Sequence, residues 1–419
     1  MTHQGSTSRY RSRRSATTER GGSLPGALVA LAVGAILMAP FLAHVSSRLL
    51  GTRALDTNAY ELYATDSGVE FASWRLLNNT GMQSSVDAAY PNPVSISPSI
   101  TINGLTPSVT AAAVYERGWS SLTSAPEDMG WGASLAYYPA TNSLFAFRGD
   151  KERQFFRYDI DSDSWASLAE APDKVGDGGS LWYDGGDYLY ALRGDKQSDF
   201  WRYSISSDSW SALSDTPEKV KQGGDLAFSG GFLYTFRGDK ETDFWRYSIA
   251  TNSWSGRADA PEKVGDGGAL AYTGGNYIFA FRGDKSSDFW RYNMSTDSWS
   301  SVSSTPNDVG EGGDLAYTGG DFIYATRGDK SPDTWRYSIP GNSWTVLDPA
   351  PADLGKGGAI NFPGSGYIYV LRGDKTSDFW RFLAAPPEYD VTSTAGNTQI
   401  ISRILLDRPS AQVLWWDIQ

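Results

Sequence analysis

Apolar residues first gather near the start of the chain. The segment from Gly21 to Ser47 holds no Asp, Glu, Lys or Arg, and its core is "LPGALVALAVGAILMAPFLAHV". A helix of that length would extend roughly 33 Å, enough to cross a bilayer core of about 30 Å. Because the arginine-rich stretch "RYRSRRSATTER" precedes it, we expect a basic cytoplasmic leader at 1–22 and a membrane span at the start of 23–80. The rest of the chain would then lie outside the cell.

The apolar pattern continues beyond this span with a different period. Apolar residues recur mostly three or four positions apart from Leu55 to Leu77, which predicts an amphipathic helix ending near "NNTG". Two other interpretations of the N-terminus remain open. One is a cleaved signal peptide, and the other is a plain single-pass anchor.

A third pattern begins near residue 117 and repeats. The tetrapeptide Arg-Gly-Asp-Lys begins at Arg148, Arg193, Arg237, Arg282, Arg327 and Arg372, so the period is 44 or 45 residues. Each repeat contains four short apolar stretches separated by turns rich in Gly, Asp and Pro. Such a unit is typical of a four-stranded β-propeller blade.

One strand is missing at the end of the array. Every fourth strand carries a tryptophan, which we interpret as a structural residue of the repeat: Trp119, Trp165, Trp210, Trp254, Trp299 and Trp344. The last repeat, 358–382, has no such strand, whereas Trp119 has no repeat before it. We therefore expect residues 118–122 to complete the sixth blade, because closing the ring hides two exposed sheet edges.

The composition limits the possible chemistry. The chain has 419 residues, no cysteine, only the two histidines His3 and His44, and a net charge of −12. The lack of cysteine excludes disulfides and thiolate chemistry, and both histidines precede the predicted folded region. We therefore predict no metal site and no cofactor. The acidic balance argues against nucleic acid as a partner.

The repeat resembles the kelch repeat. "DFWRY" and "DSW", with Trp201 and Trp210, match that family's last two strands, while Arg193-Gly194 stands where the family has a diglycine. The resemblance covers residues 117–385 and implies an all-β fold, a six-bladed kelch-type β-propeller. Some kelch proteins are copper radical oxidases, but those need Cys, Tyr and His around a metal, and this chain lacks the first and the last in the repeats.

The N-terminal helix resembles that of type IV pilins and minor pilin-like proteins. "LYATDSGVEFASWRL" is similar to their helix pattern, and Gly21-Gly22 would fit the position of leader cleavage, although the usual acidic residue five positions later is absent. The resemblance implies a small pilin-like β-sheet subdomain built from 81–116 and 386–419. The propeller would be inserted into it, since the two ends of a closed ring are adjacent.

The repeated turns are the candidate ligand-binding residues. In a propeller they share one face with the loops that join the blades, and that face would carry Arg148, Arg193, Arg237, Arg282, Arg327, Arg372, Lys151, Lys196, Lys240, Lys285, Lys330 and Lys375. These cations could bind an anionic sugar, a peptide carboxylate or an integrin-type receptor. Alternatively, each arginine pairs within its own turn, as Arg193 could with Asp195 or Asp199, and only stabilises the blade.

Two other motifs are better explained by structure. The aromatic residues of "DFWRY" could stack on sugars, but packing between blades explains them better. "DIDSDSW", with Asp159, Asp161 and Asp163, alternates carboxylates as a calcium loop does. It lacks the glycine and the distal glutamate of an EF-hand and therefore predicts a turn.

These observations predict a non-enzymatic protein displayed on the bacterial cell surface. The N-terminal helix would be held by the membrane or by pilin-like subunits, with the N-terminus inside, and the propeller would bind an extracellular protein or glycan. A mutarotase- or isomerase-like sugar enzyme and a purely structural pilus component remain alternatives. An active site would break the symmetry of the repeats. The visible departures are Trp131, 152–154, 221–222 and Pro332.

Overall fold

The structure is a computed structural model that describes residues 54–99, 101–114, 118–384, 388–407 and 410–419. The predicted leader, its Gly21-Gly22 pair and the predicted membrane span lie outside the described residues. Within the described part of the chain, no helix combines the length and apolar character that a membrane crossing requires.

Two helices begin the described chain: α1 (Ala54–Asn78) and α2 (Thr80–Ala88). The apolar pattern predicts α1, but the assignment of 81–116 to β-structure misses α2. The side chain of Asn79 accepts a hydrogen bond from the Met82 N–H at 3.0 Å. This N-cap starts a new helix directly after α1 ends.

Two strands precede the repeats: β1 (Val94–Ser95) and β2 (Ser108–Ala113). They pair antiparallel, with Val94 opposite Ala111. The strand content predicted across 94–115 is therefore limited to these two segments, which a loop connects.

The repeats form six four-stranded antiparallel sheets. In chain order β3 (Trp119–Ser121) comes first. Sheet 1 contains β4 (Ser134–Tyr138), β5 (Ser143–Phe147), β6 (Phe155–Asp159) and β7 (Ser164–Ser167), with a 3₁₀ turn at Pro139–Thr141; sheet 2 contains β8 (Ser180–Tyr183), β9 (Tyr188–Leu192), β10 (Phe200–Ser204) and β11 (Ser209–Ala212). Sheet 3 contains β12 (Leu226–Ser229), β13 (Phe232–Phe236), β14 (Phe244–Ser248) and β15 (Ser253–Gly256); sheet 4 contains β16 (Ala269–Tyr272), β17 (Tyr277–Phe281), β18 (Phe289–Asn293) and β19 (Ser298–Ser301). Sheet 5 contains β20 (Asp314–Tyr317), β21 (Phe322–Thr326), β22 (Thr334–Ser338) and β23 (Ser343–Val346); sheet 6 contains β24 (Ala359–Asn361), β25 (Tyr367–Leu371), β26 (Phe379–Leu383) and β3.

Strand β3 completes sheet 6, as the sequence predicts for residues 118–122. It pairs with β26, with Trp119 opposite Phe382 and Ser121 opposite Trp380. The first strands of the sheets contact one another in cyclic order, and that of sheet 6 contacts that of sheet 1. The sheets therefore form a closed ring, a multi-bladed β-propeller.

A tryptophan from each fourth strand lies at the boundary with the preceding sheet. The ring centroid of Trp210 in sheet 2 lies 5.0 Å from that of Phe155 in sheet 1, and its indole N–H donates to the Ala169 carbonyl at 2.9 Å. The same donation runs from Trp119 to Asp348, Trp165 to Thr123, Trp254 to Ser214, Trp299 to Ala258 and Trp344 to Ser303. Aromatic packing with a satisfied indole N–H thus joins neighbouring sheets.

The last three strands are β27 (Glu388–Ala395), β28 (Thr398–Asp407) and β29 (Ser410–Ile418). They join β1 and β2 in one antiparallel sheet of spatial order β1-β2-β27-β28-β29, here called the flanking sheet. Since β2 pairs with β27, the ring is inserted between two adjacent strands. Val69 and Leu76 of α1 pack on this sheet against Val109 and Val391.

The strand order gives the ring two different faces. Turns from first to second and from third to fourth strands lie on one face, and the chain enters before β3 and leaves after β26 on that same side. We call it the proximal face. The six Arg-Gly-Asp-Lys turns and the loops between sheets lie on the opposite, distal face.

Candidate functional site

The arginines of the repeated turns are bonded to their own turns and to the loop before the sheet. Arg193 donates from Nε to the Lys174 carbonyl at 3.0 Å and from Nη1 to the Asp199 carboxylate at 2.9 Å. The residue six positions on, an aspartate or Gln154, is likewise the acceptor for Arg148, Arg237, Arg282, Arg327 and Arg372. These charge-assisted bonds close the turns, so the geometry favours the stabilising interpretation of the arginines.

The three residues after each arginine adopt a left-handed conformation. In sheet 2, φ is 67° at Gly194, 51° at Asp195 and 60° at Lys196. The Gln197 N–H donates to the Gly194 carbonyl at 3.0 Å and closes the turn. A Cβ at position 194 would lie 2.3 Å from the Asp177 carbonyl oxygen. The backbone path therefore requires glycine at this position.

The lysines of the turns link each sheet to the next one. Ion pairs join Lys151 to Asp195 at 3.0 Å, Lys240 to Asp284 at 2.8 Å, Lys285 to Asp329 at 3.3 Å and Lys375 to Asp150 at 3.0 Å. The backbone N–H groups of Lys196 and Lys330 donate to Val220 and Leu354 of the following loops at 2.9 Å. The paired lysine side chains are exposed, so solvent screens each ion pair and its contribution to stability is small.

The distal end of the ring axis forms a small cavity of about 80 Å³. The loop before the first strand of each sheet contributes one larger side chain to this cavity: Trp131, Asp177, Gln222, Asp266, Glu311 and Lys356. The Lys356 ammonium lies 4.2 Å from the Trp131 ring centroid and 3.4 Å from the Glu311 carboxylate. Burial and the charge of Asp266 raise the pKa of Asp177 to about 6. At this end, the protein supplies its own cation for its acidic residues.

A larger cavity of about 300 Å³, here called the axial cavity, lies on the axis toward the proximal face. The first strands of all six sheets and the residues next to them form its wall. Its aromatic lining residues are Tyr137, Trp182, Tyr183, Tyr272, Tyr317 and Phe362, all partly exposed. The volume lies at the lower end of the range for small-molecule sites.

Sheets 3 and 5 differ from the others at the start of the first strand, where Asp225 directly precedes β12 and Asp314 begins β20. Asp225 and Asp314 stand there, whereas the equivalent residues elsewhere are Ser134, Ser180, Ala269 and Ala359. Two positions further along the first strand, sheet 2 has Trp182 and sheet 6 has Asn361, whereas the other four sheets have alanine. All four departures line the axial cavity. The symmetry of the ring is thus broken by residues that share one site.

Each of these aspartates bonds to the backbone of the next sheet. Asp225 accepts the Leu270 N–H, and Asp314 accepts the Ile360 N–H, both at 2.8 Å. In sheet 1 the hydroxyl of Ser134 serves the same purpose, accepting the Leu181 N–H at 3.0 Å. A neutral hydroxyl is therefore sufficient for the inter-sheet bond, and the fold does not require a carboxylate.

The two carboxyl groups have strongly perturbed acidities. Burial raises the pKa of Asp225 to about 6, and burial together with the charge of Asp225 raises the pKa of Asp314 well above its usual range. Among the described residues that line the axial cavity, none is Lys, Arg or His. Perturbed titratable groups in a cavity are typical of functional sites, so these aspartates are candidate site residues.

Sequence reasoning placed the candidate site on the distal face and missed the axial cavity. The signal was the "GGD" that opens the first strands of sheets 3 and 5, where the others have "GGS", "GGA" or "GAS". Of the departures noted from the sequence, Trp131 and Gln222 line the distal cavity. Gln154 accepts a hydrogen bond from Arg148, which explains its place in the turn.

The remaining motifs form internal contacts. Trp201 and Tyr203 of "DFWRY" are buried, and the Tyr203 hydroxyl donates to Asp208 at 2.6 Å. In "DIDSDSW", Asp163 accepts from the Tyr158 hydroxyl at 2.6 Å and from the Thr123 N–H at 2.9 Å. No group of three or more metal-ligating side chains occurs among the described residues.

No protein-family model matches the chain, and a search of curated proteins finds no match. Among solved structures, the chain is similar to that of YjhT, with a TM-score of 0.51 and 14% identity over 70% of this chain and 99% of that one. Weaker matches are a protein of unknown function from Bacteroides thetaiotaomicron VPI-5482 (TM-score 0.49, 12% identity, 72% of this chain and 82% of that one) and a chain of a mitotic checkpoint complex (TM-score 0.46, 15% identity, 64% and 94%). At 14% identity the likeness to YjhT concerns the fold alone, and with the closed ring of sheets it supports a multi-bladed β-propeller.

Proposed function

We propose that the protein is a surface-displayed binding protein in which a six-bladed kelch-type propeller recognises an extracellular protein or glycan. The binding site is the axial cavity, which accepts a small group of that partner. The observation that carries this proposal is the shared location of Trp182, Asp225, Asp314 and Asn361. Since a packing requirement would apply equally to every sheet, residues that depart from the repeat and line one cavity favour a ligand.

The distal cations are a weaker candidate site. The guanidinium group of Arg193 is largely buried and already bonded to Asp199, and the other five arginines make the equivalent bond. A ligand carboxylate would have to replace these internal bonds. Recognition by an integrin-type receptor draws no support from this geometry.

The propeller stands on a pilin-like stalk in this proposal. A long helix packed along an antiparallel sheet, with the ring inserted between β2 and β27, supports the resemblance to pilin-like proteins. The helix is held by the membrane or by pilin-like subunits, the leader lies in the cytoplasm, and the propeller is outside. Cell fractionation with N-terminal sequencing tests this arrangement. A start at Gly22 or Ser23 in sheared fibres favours a pilin, and an uncut chain in membranes favours a simple anchor.

The flanking sheet joins the ring away from its axis. The chain joins the ring through β26 and β3, the third and fourth strands of sheet 6 counted outward from the axis. All the described residues that form the wall of the axial cavity belong to the ring. In this proposal, a partner approaches the axis from the proximal side.

The direct test is a screen of glycan and peptide arrays with the full-length chain in a neutral detergent. The double variant Asp225→Ser/Asp314→Ser introduces the residue that sheets 1 and 2 carry at the same position. We expect it to lose the binding seen with the unaltered chain, while Arg193→Ala keeps it. Unchanged binding by the double variant would contradict a site in the axial cavity.

A second candidate function is a sugar-modifying enzyme, such as a mutarotase or isomerase. It is favoured by one observation: a carboxyl group with a pKa of about 6, that of Asp225, can exchange a proton near neutral pH. Following the anomeric ratio of aldoses by NMR tests it, and acceleration that Asp225→Ser abolishes would support an enzyme. If neither binding nor turnover depends on the axial cavity, the propeller is a structural component of the envelope.

A further inference from the structure

We propose that the ligand group held in the axial cavity carries a primary ammonium ion. This inference rests on the proposed function, because it names the chemistry of the ligand at the same site. The group belongs to an amino sugar or to a lysine side chain of a protein, which share the same ammonium. The experiment below separates these two sources.

The wall of the axial cavity lacks a cation. Among its described residues, the charged side chains are Asp225 and Asp314, and the other titratable groups are tyrosines. An ionised carboxylate enclosed by protein is costly unless a cation pairs with it. At the distal end of the same axis, Lys356 provides that cation for Glu311. At the axial cavity, a ligand ammonium would provide it.

The tyrosine hydroxyls and the Asn361 amide of the wall already donate within the protein, as does the neighbouring Ser180 hydroxyl. The tyrosine hydroxyls donate to turn residues: Tyr137 to Asn142, Tyr183 to Gly186, Tyr272 to Gly275 and Tyr317 to Gly320. The Ser180 hydroxyl donates to Asp225, and the Asn361 amide donates to the Leu135 carbonyl. The Oδ1 atom of Asn361 is buried and has no partner. Besides the Trp182 indole and the Ser134 hydroxyl, the described wall thus offers mainly acceptors, the two carboxylates foremost, which suits a ligand group with three donors.

Both carboxylates retain unused acceptor positions. Asp225 accepts hydrogen bonds from Ser180, Leu226 and Leu270, and Asp314 accepts them from Leu315 and Ile360. An ionised carboxylate has about four acceptor positions, so each can accept a further bond from an ammonium.

The aromatic lining favours the same type of group. Tyr and Trp ring faces attract a cation placed within about 6 Å of their centroids. A neutral sugar would stack on these rings but leave both carboxylates unpaired, and an anionic group would be repelled by them. A cationic group is attracted both to aromatic rings and to the carboxylates, and it supplies the charge that a neutral group lacks.

Calorimetry with the full-length chain in a neutral detergent tests the proposal with two probes of equal length. We expect n-butylammonium to bind roughly 10- to 100-fold more tightly than butan-1-ol at pH 7.5, as a charged hydrogen bond replaces a neutral one. Lowering the pH to 5 should weaken the binding of n-butylammonium, because the lower pH protonates the aspartates while the amine stays charged. Tyrosine hydroxyls ordinarily ionise near pH 10, outside this range.

Three variants locate the effect within the cavity. Asp225→Ser and Asp314→Ser should each weaken the binding of n-butylammonium roughly 10-fold and leave the binding of butan-1-ol unchanged. Thermal melts by circular dichroism check that both variants fold. The control is Asp321→Ser, which removes an exposed carboxylate from a proximal turn. Equal binding of both probes, or unchanged n-butylammonium binding in the double aspartate variant, overturns the proposal. A failure of n-butylammonium to bind also overturns the ammonium proposal. The array screen still tests the axial cavity as a binding site independently.

Acetylated controls identify the source of the ammonium. Glucosamine is compared with N-acetylglucosamine, and Nα-acetyl-lysine methylamide with its Nε-acetylated form. Binding of glucosamine that acetylation abolishes assigns the site to an amino sugar. The same result for the lysine derivative assigns it to a protein side chain, and binding of the acetylated forms with equal affinity overturns the assignment.

Discussion

Trp119 and Phe382 pack with their ring centroids 5.3 Å apart, on paired strands from opposite ends of the propeller sequence. The Trp119 indole N–H also donates to the Asp348 carbonyl at 3.1 Å, in the loop between sheets 5 and 6. This contact joins the two ends of the ring, and the pairing of β3 covers the strand edge that β26 would otherwise expose.

Ring closure predicts a high cost for losing this aromatic contact. We expect Trp119→Ala to lower the free energy of unfolding by about 2–4 kcal/mol, because it opens a gap between sheets 5 and 6. Urea denaturation of the full-length chain measures it. The control is Val346→Ala, an exposed position in a fourth strand, which should change stability by less than about 0.5 kcal/mol. Similar values for both variants would contradict the closing role of Trp119.

The bonds of Arg193 predict a stability effect without a binding effect. Arg193→Ala removes the bonds to Asp199 and to the Lys174 carbonyl, and we expect a loss of about 1–3 kcal/mol in unfolding free energy. Lys196→Ala, in the same turn, should cost less than about 0.5 kcal/mol. Loss of array binding by Arg193→Ala at unchanged stability would instead support a ligand site on the distal face.

Two glycines of sheet 2 allow the cost of a steric clash to be compared with the cost of a positive φ alone. Gly194 and Gly185 both have positive φ, but an added Cβ meets the Asp177 carbonyl oxygen only at Gly194, whereas nothing lies within 4 Å at Gly185. We expect Gly185→Ala to cost about 1–2 kcal/mol and Gly194→Ala at least about 3 kcal/mol. Denaturation curves compare them, and equal costs would show that the close approach does not matter.

The raised pKa of Asp225 predicts a pH dependence of stability. Because this pKa, about 6, lies above the ordinary value of 3.8, the folded state binds the proton more tightly than the unfolded state. Its contribution is complete below about pH 4 and is lost as the pH rises through 6. Asp225→Ser should therefore lose less stability than the unaltered chain between pH 4 and 7.5, by on the order of 2 kcal/mol.

Thermal melts at several pH values measure this difference. Asp66 and Asp177, whose pKa values burial also raises to about 6, titrate in both proteins and cancel in the comparison. Asp314 does not cancel, because the charge of Asp225 raises its pKa; without that charge the variant loses still less stability, in the same direction. Asp321→Ser is the control and should follow the unaltered chain at every pH. If Asp225→Ser also follows it, the carboxyl group of Asp225 does not titrate in this range.

The sequence predicts the ring better than it predicts the flanking region. A period of 44 or 45 residues, with tryptophan and glycine at fixed places, identifies each strand because every repeat confirms the others. No such repetition helps at 81–116, where one capping residue, Asn79, starts the helix α2. A local capping bond is a weak signal beside a pattern repeated through the whole ring.

The sequence by itself determined the strands of each repeat, the closing strand β3 and the glycines that the turns need, because these follow from alternation and backbone conformation within a few residues. Only the tertiary structure decided how the polar residues are used. It bonded the six arginines within their turns, since the strand register fixes each acceptor six positions away. It also brought Asp225 and Asp314, from different repeats, to one cavity on the axis, because the closure of the ring sets which first strands face each other.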